Sequence, residues 1–238
     1  MNAPFYDLKP GLTLGRNYFV VELLGVGWEG EVYKVEERRT GILRAVKIFY
    51  EHRRPTKIQM ERYAKKMYKL RSCPIITQYH HRDIARVNRN QVEILVSDFA
   101  EGVMLSKFLN EQYRKRLSPF EALHLFYALV KGIERIHYLG EYHGDIHSDN
   151  IMVRRKGLGF KVYLLDFFDL GRSTKAKIQY DIYDLISVLH EIIGGASGYK
   201  VADDHIKKII MGRKHSLIRE KFKTAGDLRL ALDNLVWD

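Results

Sequence analysis

Gly25-Val26-Gly27-Trp28-Glu29-Gly30-Glu31-Val32-Tyr33 is the stretch on which the fold turns. Three glycines in a G-x-G-x-x-G pattern carry little weight alone, because glycine also marks ordinary turns. Their surroundings decide. In a dinucleotide-binding unit the glycines lead into a helix. Here Glu31-Val32-Tyr33-Lys34-Val35 alternates and is rich in valine, as a strand does, and Asn17 to Leu24 ahead of the glycines is an apolar-rich run. The glycines therefore join two strands. Without side chains there, backbone N–H groups can approach an anion closely.

Further strands follow. Glu36 to Gly41 is charged and ends in the turn signal Thr40-Gly41, and Ile42 to Tyr50 carries Ala45, Val46, Ile48 and Phe49. These three runs make an antiparallel meander. Pro55-Thr56 opens a helical stretch to about Leu70. Ile84 to Val87 and Gln91 to Phe99 read as a strand pair around Asn88-Arg89-Asn90.

Glu101-Gly102 ends this pattern, and helices dominate beyond it. Ser118-Pro119-Phe120-Glu121 is a capping box, opening a helix whose apolar face holds Leu123, Phe126, Tyr127, Val130, Ile133 and Ile136. Ile151 to Val153 and Val162 to Leu165 make a short strand pair. Ile178 to Ile193 is a second apolar helix, stopped by Gly194-Gly195, and Thr224-Ala225-Gly226-Asp227 caps a last one ending near Trp237. A β-rich first part and a helical second part define an α+β chain.

The 238 residues are 46% hydrophobic and 29% charged, enough apolar content to fill a core and too much for wholesale disorder. Cys73 is the only cysteine, so no intramolecular disulfide forms. Met1 to Tyr18 holds no signal-like apolar run, and no run reaches the roughly 20 residues that span a bilayer. A cytoplasmic location is expected. The net charge of +11 reads either as a solvated basic surface or as attraction to an acidic partner such as a nucleotide; no specific nucleic-acid motif accompanies it.

His143-Gly144-Asp145-Ile146-His147-Ser148-Asp149-Asn150 fits H-x-D-x-x-x-x-N, Asp166 follows the apolar run Tyr163-Leu164-Leu165, and Lys47 sits in the apolar strand Ala45-Val46-Lys47-Ile48. A carboxylate that orients a hydroxyl, oxygen ligands for Mg²⁺ and a lysine fixed in a strand are what phosphoryl transfer requires. With these motifs in this order, the chain from about Gly15 to Leu235 resembles the eukaryotic-type (Hanks-type) Ser/Thr protein kinases, as a compact and divergent member, and a bacterial source would suit it. The resemblance implies a two-lobed fold: an antiparallel N-lobe with one helix over about 15–97, a hinge at 98–102 and a mainly helical C-lobe over 103–238. Residues 1–14 would be an N-terminal extension.

The resemblance also implies site residues. Gly25, Val26, Gly27, Gly30, Val32, Ala45 and Lys47 would bind ATP, and backbone groups of Asp98 and Ala100 would meet adenine with Ser97 behind it. Asp145 would be the base, with His147 beside it. Asn150 and Asp166 would hold Mg²⁺. Glu61 is the candidate helical partner for Lys47, with Tyr63 at that position in an alternative register. Protein substrates, the chain itself included, would accept the phosphoryl group on Ser or Thr; Ser173 and Thr174 are candidates.

Departures from the family pattern leave the acceptor open. Gly144 replaces the arginine that receives an activation-loop phosphate, so activity independent of such phosphorylation is expected. Phe168 replaces the glycine after Asp166-Phe167, and no Ala-Pro-Glu anchor stands between Asp166 and Asp181. His147 replaces a permanently charged lysine; histidine as a type titrates near 6.5. The same histidine occurs in the H-G-D-x-H-x-x-N loops of small-molecule kinases. A small-molecule or glycolipid kinase and a pseudokinase binding module are the two alternatives. A nucleic-acid-binding module accounts for the charge and for none of the motifs.

Overall fold

Val46 and Ile48 have no exposed surface, while Lys47 between them keeps access to solvent. That alternation orients the first sheet. The computed structural model describes residues 6–87, 90–167 and 169–236; the expected turn at Asn88-Arg89, the Phe168 substitution and Trp237 lie outside them.

Chain contacts divide the protein into two compact units, one of residues up to Tyr68 with Thr77–Ala100, the other of Lys69–Ile76 with Glu101 onward. The first unit contains β1 (Thr13–Leu14), β2 (Tyr18–Val26), β3 (Gly30–Glu37), β4 (Leu43–Phe49), the body of helix α1 (Lys57–Leu70), β5 (Tyr79–Val87) and β6 (Asn90–Asp98). The strands form one sheet in the order β1-β2-β3-β4-β6-β5, with every neighbouring pair antiparallel. Tyr33, Val35, Val46, Ile48, Ile94 and Val96 project from one face into a common core. Because side chains alternate across a strand, the register Val32↔Lys47↔Leu95 and Lys34↔Ala45↔Ser97 lines the opposite face.

The segment ahead of Gly15 belongs to this core. Leu8 and Leu14 are buried among the sheet residues. Tyr6 N–H donates to the fully buried Glu31 carboxylate at 2.8 Å, Tyr6 O–H donates to Phe49 O at 2.9 Å, and Leu8 N–H donates to Tyr33 Oη at 3.2 Å. Tyr33 O–H also donates to Glu31, and burial with this bond pushes its pKa well above the usual tyrosine range. A second buried carboxylate, Glu93, is paired with Arg54 at 3.0 Å and with Arg82. Strand β5 begins at Tyr79, five residues before the expected start at Ile84. The run His80-His81-Arg82-Asp83 is polar on both faces, so it shows no apolar alternation.

In the second unit, β7 (Val103–Met104) leads to α2 (Leu105–Asn110) and the long α3 (Pro119–Tyr138). Strands β8 (Ile151–Lys156) and β9 (Gly159–Leu164) complete a three-stranded antiparallel sheet with β7. Then come α4 (Lys175–Ile192), α5 (Gly195–Val201), α6 (Asp204–Ile210), α7 (His215–Lys221) and α8 (Ala225–Asp233). The expected capping box forms, Ser118 Oγ accepting from Glu121 N–H at 3.3 Å, and the expected cap at Thr224 closes as a second box, Thr224 Oγ1 accepting from Asp227 N–H at 3.1 Å. Each such cap stabilises its helix by about 1 kcal/mol. Leu125, Phe126, Leu129, Ile133 and Ile136 of α3 and Ile182, Leu185, Ile186 and Leu189 of α4 are wholly buried. The last helix ends at Asp233, earlier than expected. No described helix is long and apolar enough to cross a membrane.

Candidate active site

The glycine stretch closes as a hairpin end. Gly27 N–H donates to Gly30 O at 2.8 Å, and Gly25 lies opposite Val32 in the β2–β3 register. Gly30 is required by contact: a Cβ there would collide with the carbonyl oxygen of Ile48 on β4. Glu29 N-terminal to it is fixed in place, since its carbonyl accepts from Tyr50 N–H at 2.9 Å. From that position the Glu29 carboxylate reaches Lys47 Nζ at 2.5 Å. Val32, Ala45 and Lys47 therefore share one face of the sheet with Ser97, as their register requires.

Glu61, the expected partner of Lys47, stands exposed on α1 and makes no ion pair among the described residues. The reason is rotational: α1 buries Met60, Lys66, Met67 and Leu70, and Glu61 sits about 100° around the helix from Met60. In this structure the glycine stretch brings an acid, Glu29, to Lys47. The Asp98 carboxylate pairs with Arg44 and His80, each at 2.6 Å, and its N–H donates to Gln78 O at 2.9 Å. Any bond from adenine to Asp98 thus falls to its carbonyl. Ala100 is buried.

The catalytic-loop motif in the second unit is held from beneath by Asp181 of α4, which has no exposed surface. Its Oδ2 accepts from His143 N–H at 2.8 Å and lies 2.9 Å from His137 Nε2, and its Oδ1 accepts from Gly144 N–H at 2.8 Å. His143 is buried too. Its Nδ1 accepts from Asp145 N–H at 3.2 Å, so Nε2 carries the proton and donates to Leu165 O at 2.9 Å. The ring also packs edge-on to Phe167. His143 thus ties the loop to the residues just before Asp166.

Above this floor Asp145, His147 and Asn150 meet. Asn150 Nδ2 donates to Asp145 O and to Asp145 Oδ2, both at 3.0 Å. The same Nδ2 also lies 2.9 Å from His147 Nε2, so one nitrogen faces both neighbours. His147 Nδ1 accepts from Asp149 N–H at 3.3 Å, and its Nε2 lies 3.4 Å from Asp145 Oδ2. The single 3-10 turn Ser148–Asn150 brings the three side chains together. The Asp145 side chain is 66% exposed, open to an incoming hydroxyl. Asp166 is exposed and left-handed, with φ 61°, a conformation that Asp tolerates better than most residues.

Among the described residues no three His, Cys, Asp or Glu side chains group to hold a metal by themselves. Mg²⁺ does not need such a group; it takes one or two protein oxygens and fills its shell from phosphates and water. The Asn150 Oδ1, left over once Nδ2 is committed to Asp145, and the Asp166 carboxylate are hard oxygen donors of that kind.

The motifs did not point to Glu29 or to Asp184. Asp184, one turn beyond Asp181 on α4, has its pKa raised to about 6 by burial and by the neighbouring Asp181 carboxylate, against a hydrogen bond from the Ile146 backbone. The i, i+3 spacing of two acids inside an apolar helix was the available signal.

A glycine hairpin beside a strand lysine in one unit, with an H-x-D-x-x-x-x-N loop over a buried helical Asp in the other, defines a protein-kinase fold. The chain belongs to the protein kinase family: the family model for the protein kinase domain matches residues 18–199. It is similar to the dual specificity testis-specific protein kinase 1 of Homo sapiens, 28% identical over 156 residues, which cover 63% of this chain and 23% of that protein. It is 27% identical over 160 residues to the serine/threonine-protein kinase pkn2 of Myxococcus xanthus, covering 66% of this chain and 18% of that one. The chain thus spans about a fifth of the length of these curated relatives. A solved double-mutant kinase domain of Mycobacterium tuberculosis PknI superposes with a TM-score of 0.70 at 17% identity, over 95% of this chain and 98% of that one.

Proposed function

We propose that the protein transfers the γ-phosphoryl group of ATP, with Mg²⁺, to Ser or Thr hydroxyls of protein substrates, itself included. The observation that carries this reading is the exposed Asp145 carboxylate, oriented by Asn150 at 3.0 Å over a loop anchored by buried Asp181. Asp145 orients the acceptor hydroxyl and takes its proton. The oxygen forms the new P–O bond as the bond from γ-phosphorus to the bridging oxygen breaks and ADP leaves. Lys47 binds the α- and β-phosphates, and the glycine stretch from Gly25 to Gly30, with Val26, covers them. Val32 and Ala45 pack on adenine, which bonds the backbone of Asp98 and Ala100. Bound through Asn150 Oδ1 and Asp166, Mg²⁺ would offset charge on the phosphate oxygens. A cytoplasmic setting belongs to the same reading.

Incubation with radiolabelled ATP and Mg²⁺, alone and with a generic basic protein, tests it. Label on Ser or Thr is expected, and Asp145→Ala should lower transfer by about 10²–10⁴-fold. Near-wild-type transfer by that variant would sink the mechanism.

A second reading, a small-molecule acceptor, draws on His147 and on the short stretch of residues 167–174 between Asp166 and α4. Turnover of ATP only in the presence of a lysate's small-molecule fraction would favour it.

A further inference from the structure

Gly144 has φ 91°, and a Cβ added there would lie 2.9 Å from Asp169 Oδ2 and 3.0 Å from the Tyr142 ring. No larger side chain fits at that position without displacing its neighbours. The space is filled by a compact polar cluster. Tyr142 O–H donates to Asp169 Oδ1 at 2.6 Å. Lys177 Nζ donates to Tyr142 Oη at 2.5 Å and to both Asp169 oxygens at 3.1 Å. Gly171 N–H donates to Asp169 Oδ1 at 3.1 Å, and a Cβ at Gly171 would collide with the Lys177 ammonium.

Three segments meet in this cluster. Tyr142 immediately precedes His143-Gly144-Asp145, Asp169 comes three residues after Asp166, and Lys177 lies in the first turn of α4 behind its cap, Thr174. A lysine in the first turn opposes the helix dipole, which favours acids there. Its place therefore calls for an acid partner, and Asp169 is that partner. Burial alone would raise the Asp169 carboxyl, but hydrogen bonds from Tyr142, Gly171 and Lys177 hold it below its ordinary range. The Tyr142 hydroxyl and then Asp169 hold Lys177 above its own.

We infer that Tyr142, Asp169 and Lys177 form a built-in clamp that fixes the segment from Asp169 to Gly171 against the catalytic loop. They are positioning residues for the phosphoryl transfer proposed above, and the inference rests on that reading. Asp169 supplies as a coded residue the anion that elsewhere a phosphate must add, and Lys177 supplies the cation. The segment is in place once the chain folds.

Steady-state kinetics, fluorescent-nucleotide titration and amide hydrogen exchange on the full chain test the clamp. Lys177→Met and Asp169→Asn should each lower kcat by about 10–100-fold, the scale of a small misplacement of reacting groups. Nucleotide affinity should stay within about twofold, because the clamp does not touch nucleotide. Exchange at Gly171 should quicken. Lys177→Arg should restore most of kcat, and phosphatase treatment of the wild type should leave its rate unchanged. Lys177→Met with wild-type kcat, or with unchanged exchange at Gly171, would overturn the inference. If Lys177→Met does not fold, Tyr142→Phe, which keeps the ion pair, decides: wild-type kcat and exchange there refute the clamp. If the wild type transfers no phosphoryl group, the functional reading fails, and exchange at Gly171 still judges the clamp.

Discussion

The Glu29 carboxylate lies 2.5 Å from the Lys47 ammonium, so the hairpin that would cover a triphosphate itself presents an anion to the triphosphate's lysine. On the proposed reading, an arriving nucleotide would have to displace that carboxylate. The pair is partly exposed, 19% for the lysine side chain and 31% for the glutamate, so its strength is about 1 kcal/mol or less. Glu29→Gln should therefore lower KM for ATP by about three- to fivefold with little change in kcat. Glu61→Gln should change neither by more than about twofold. Steady-state kinetics over a range of ATP concentrations measure both, and a raised KM in Glu29→Gln would show that the acid assists binding.

The Asn150 amide nitrogen holds Asp145, and its oxygen is the Mg²⁺ ligand of the proposed mechanism. Asn150→Ala should cut kcat by about 10²-fold and raise the Mg²⁺ concentration for half-maximal rate. Rate against free Mg²⁺ at saturating ATP separates the two losses. An unchanged half-maximal concentration would remove Asn150 from the metal site.

Ser97 shares the sheet face of Ala45, directly opposite it in register. On the proposed placement of adenine, two small side chains would leave room behind it. ATP analogues enlarged at N6 should be accepted with kcat/KM within about tenfold of ATP, and Ser97→Phe should abolish that tolerance. Rejection of such analogues by the wild type would place the adenine differently.

Asp184 carries a pH dependence of definite sign. Its folded pKa of about 6 stands above the ordinary 3.8, so the folded state binds more protons between those values. Stability from this group is present below about pH 4 and is lost as pH rises through about 6. At pH 7.5 the charged carboxylate destabilises the fold, by about 1 kcal/mol once screening of a half-buried group is allowed for. Asp184→Asn should raise Tm by about 2–4 °C at pH 7.5 and have little effect at pH 4.5. Thermal melts at the two pH values check it; equal effects would contradict it.

Local features were the legible ones. The alternation Ala45-Val46-Lys47-Ile48 placed the lysine on the face opposite the core, because strand geometry leaves no other choice. The caps at Ser118 and Thr224 needed four residues each. The eight residues from His143 to Asn150 bring Asp145, His147 and Asn150 together within one loop. What could not be read depends on distant segments meeting. Glu29 faces Lys47 only because a hairpin closes between them, and Tyr142, Asp169 and Lys177 come from a loop, an irregular segment and a helix start. Leu8 and Leu14 lie in a short stretch broken by Pro10, Gly11 and Gly15, and Leu12 beside them is exposed, so no period marks them as core.

That last case bears on where this domain can be cut. The resemblance opens near Gly15 and the family match at Tyr18, yet Tyr6, Leu8 and Leu14 seal the buried face of the sheet. An expression clone started at Gly15 would strip the backbone donor from Glu31 and open Tyr33 to water. A protease nicking at exposed Lys9 would loosen the same plug. Tags and fusion partners belong ahead of Tyr6, where their linker leaves that seal whole.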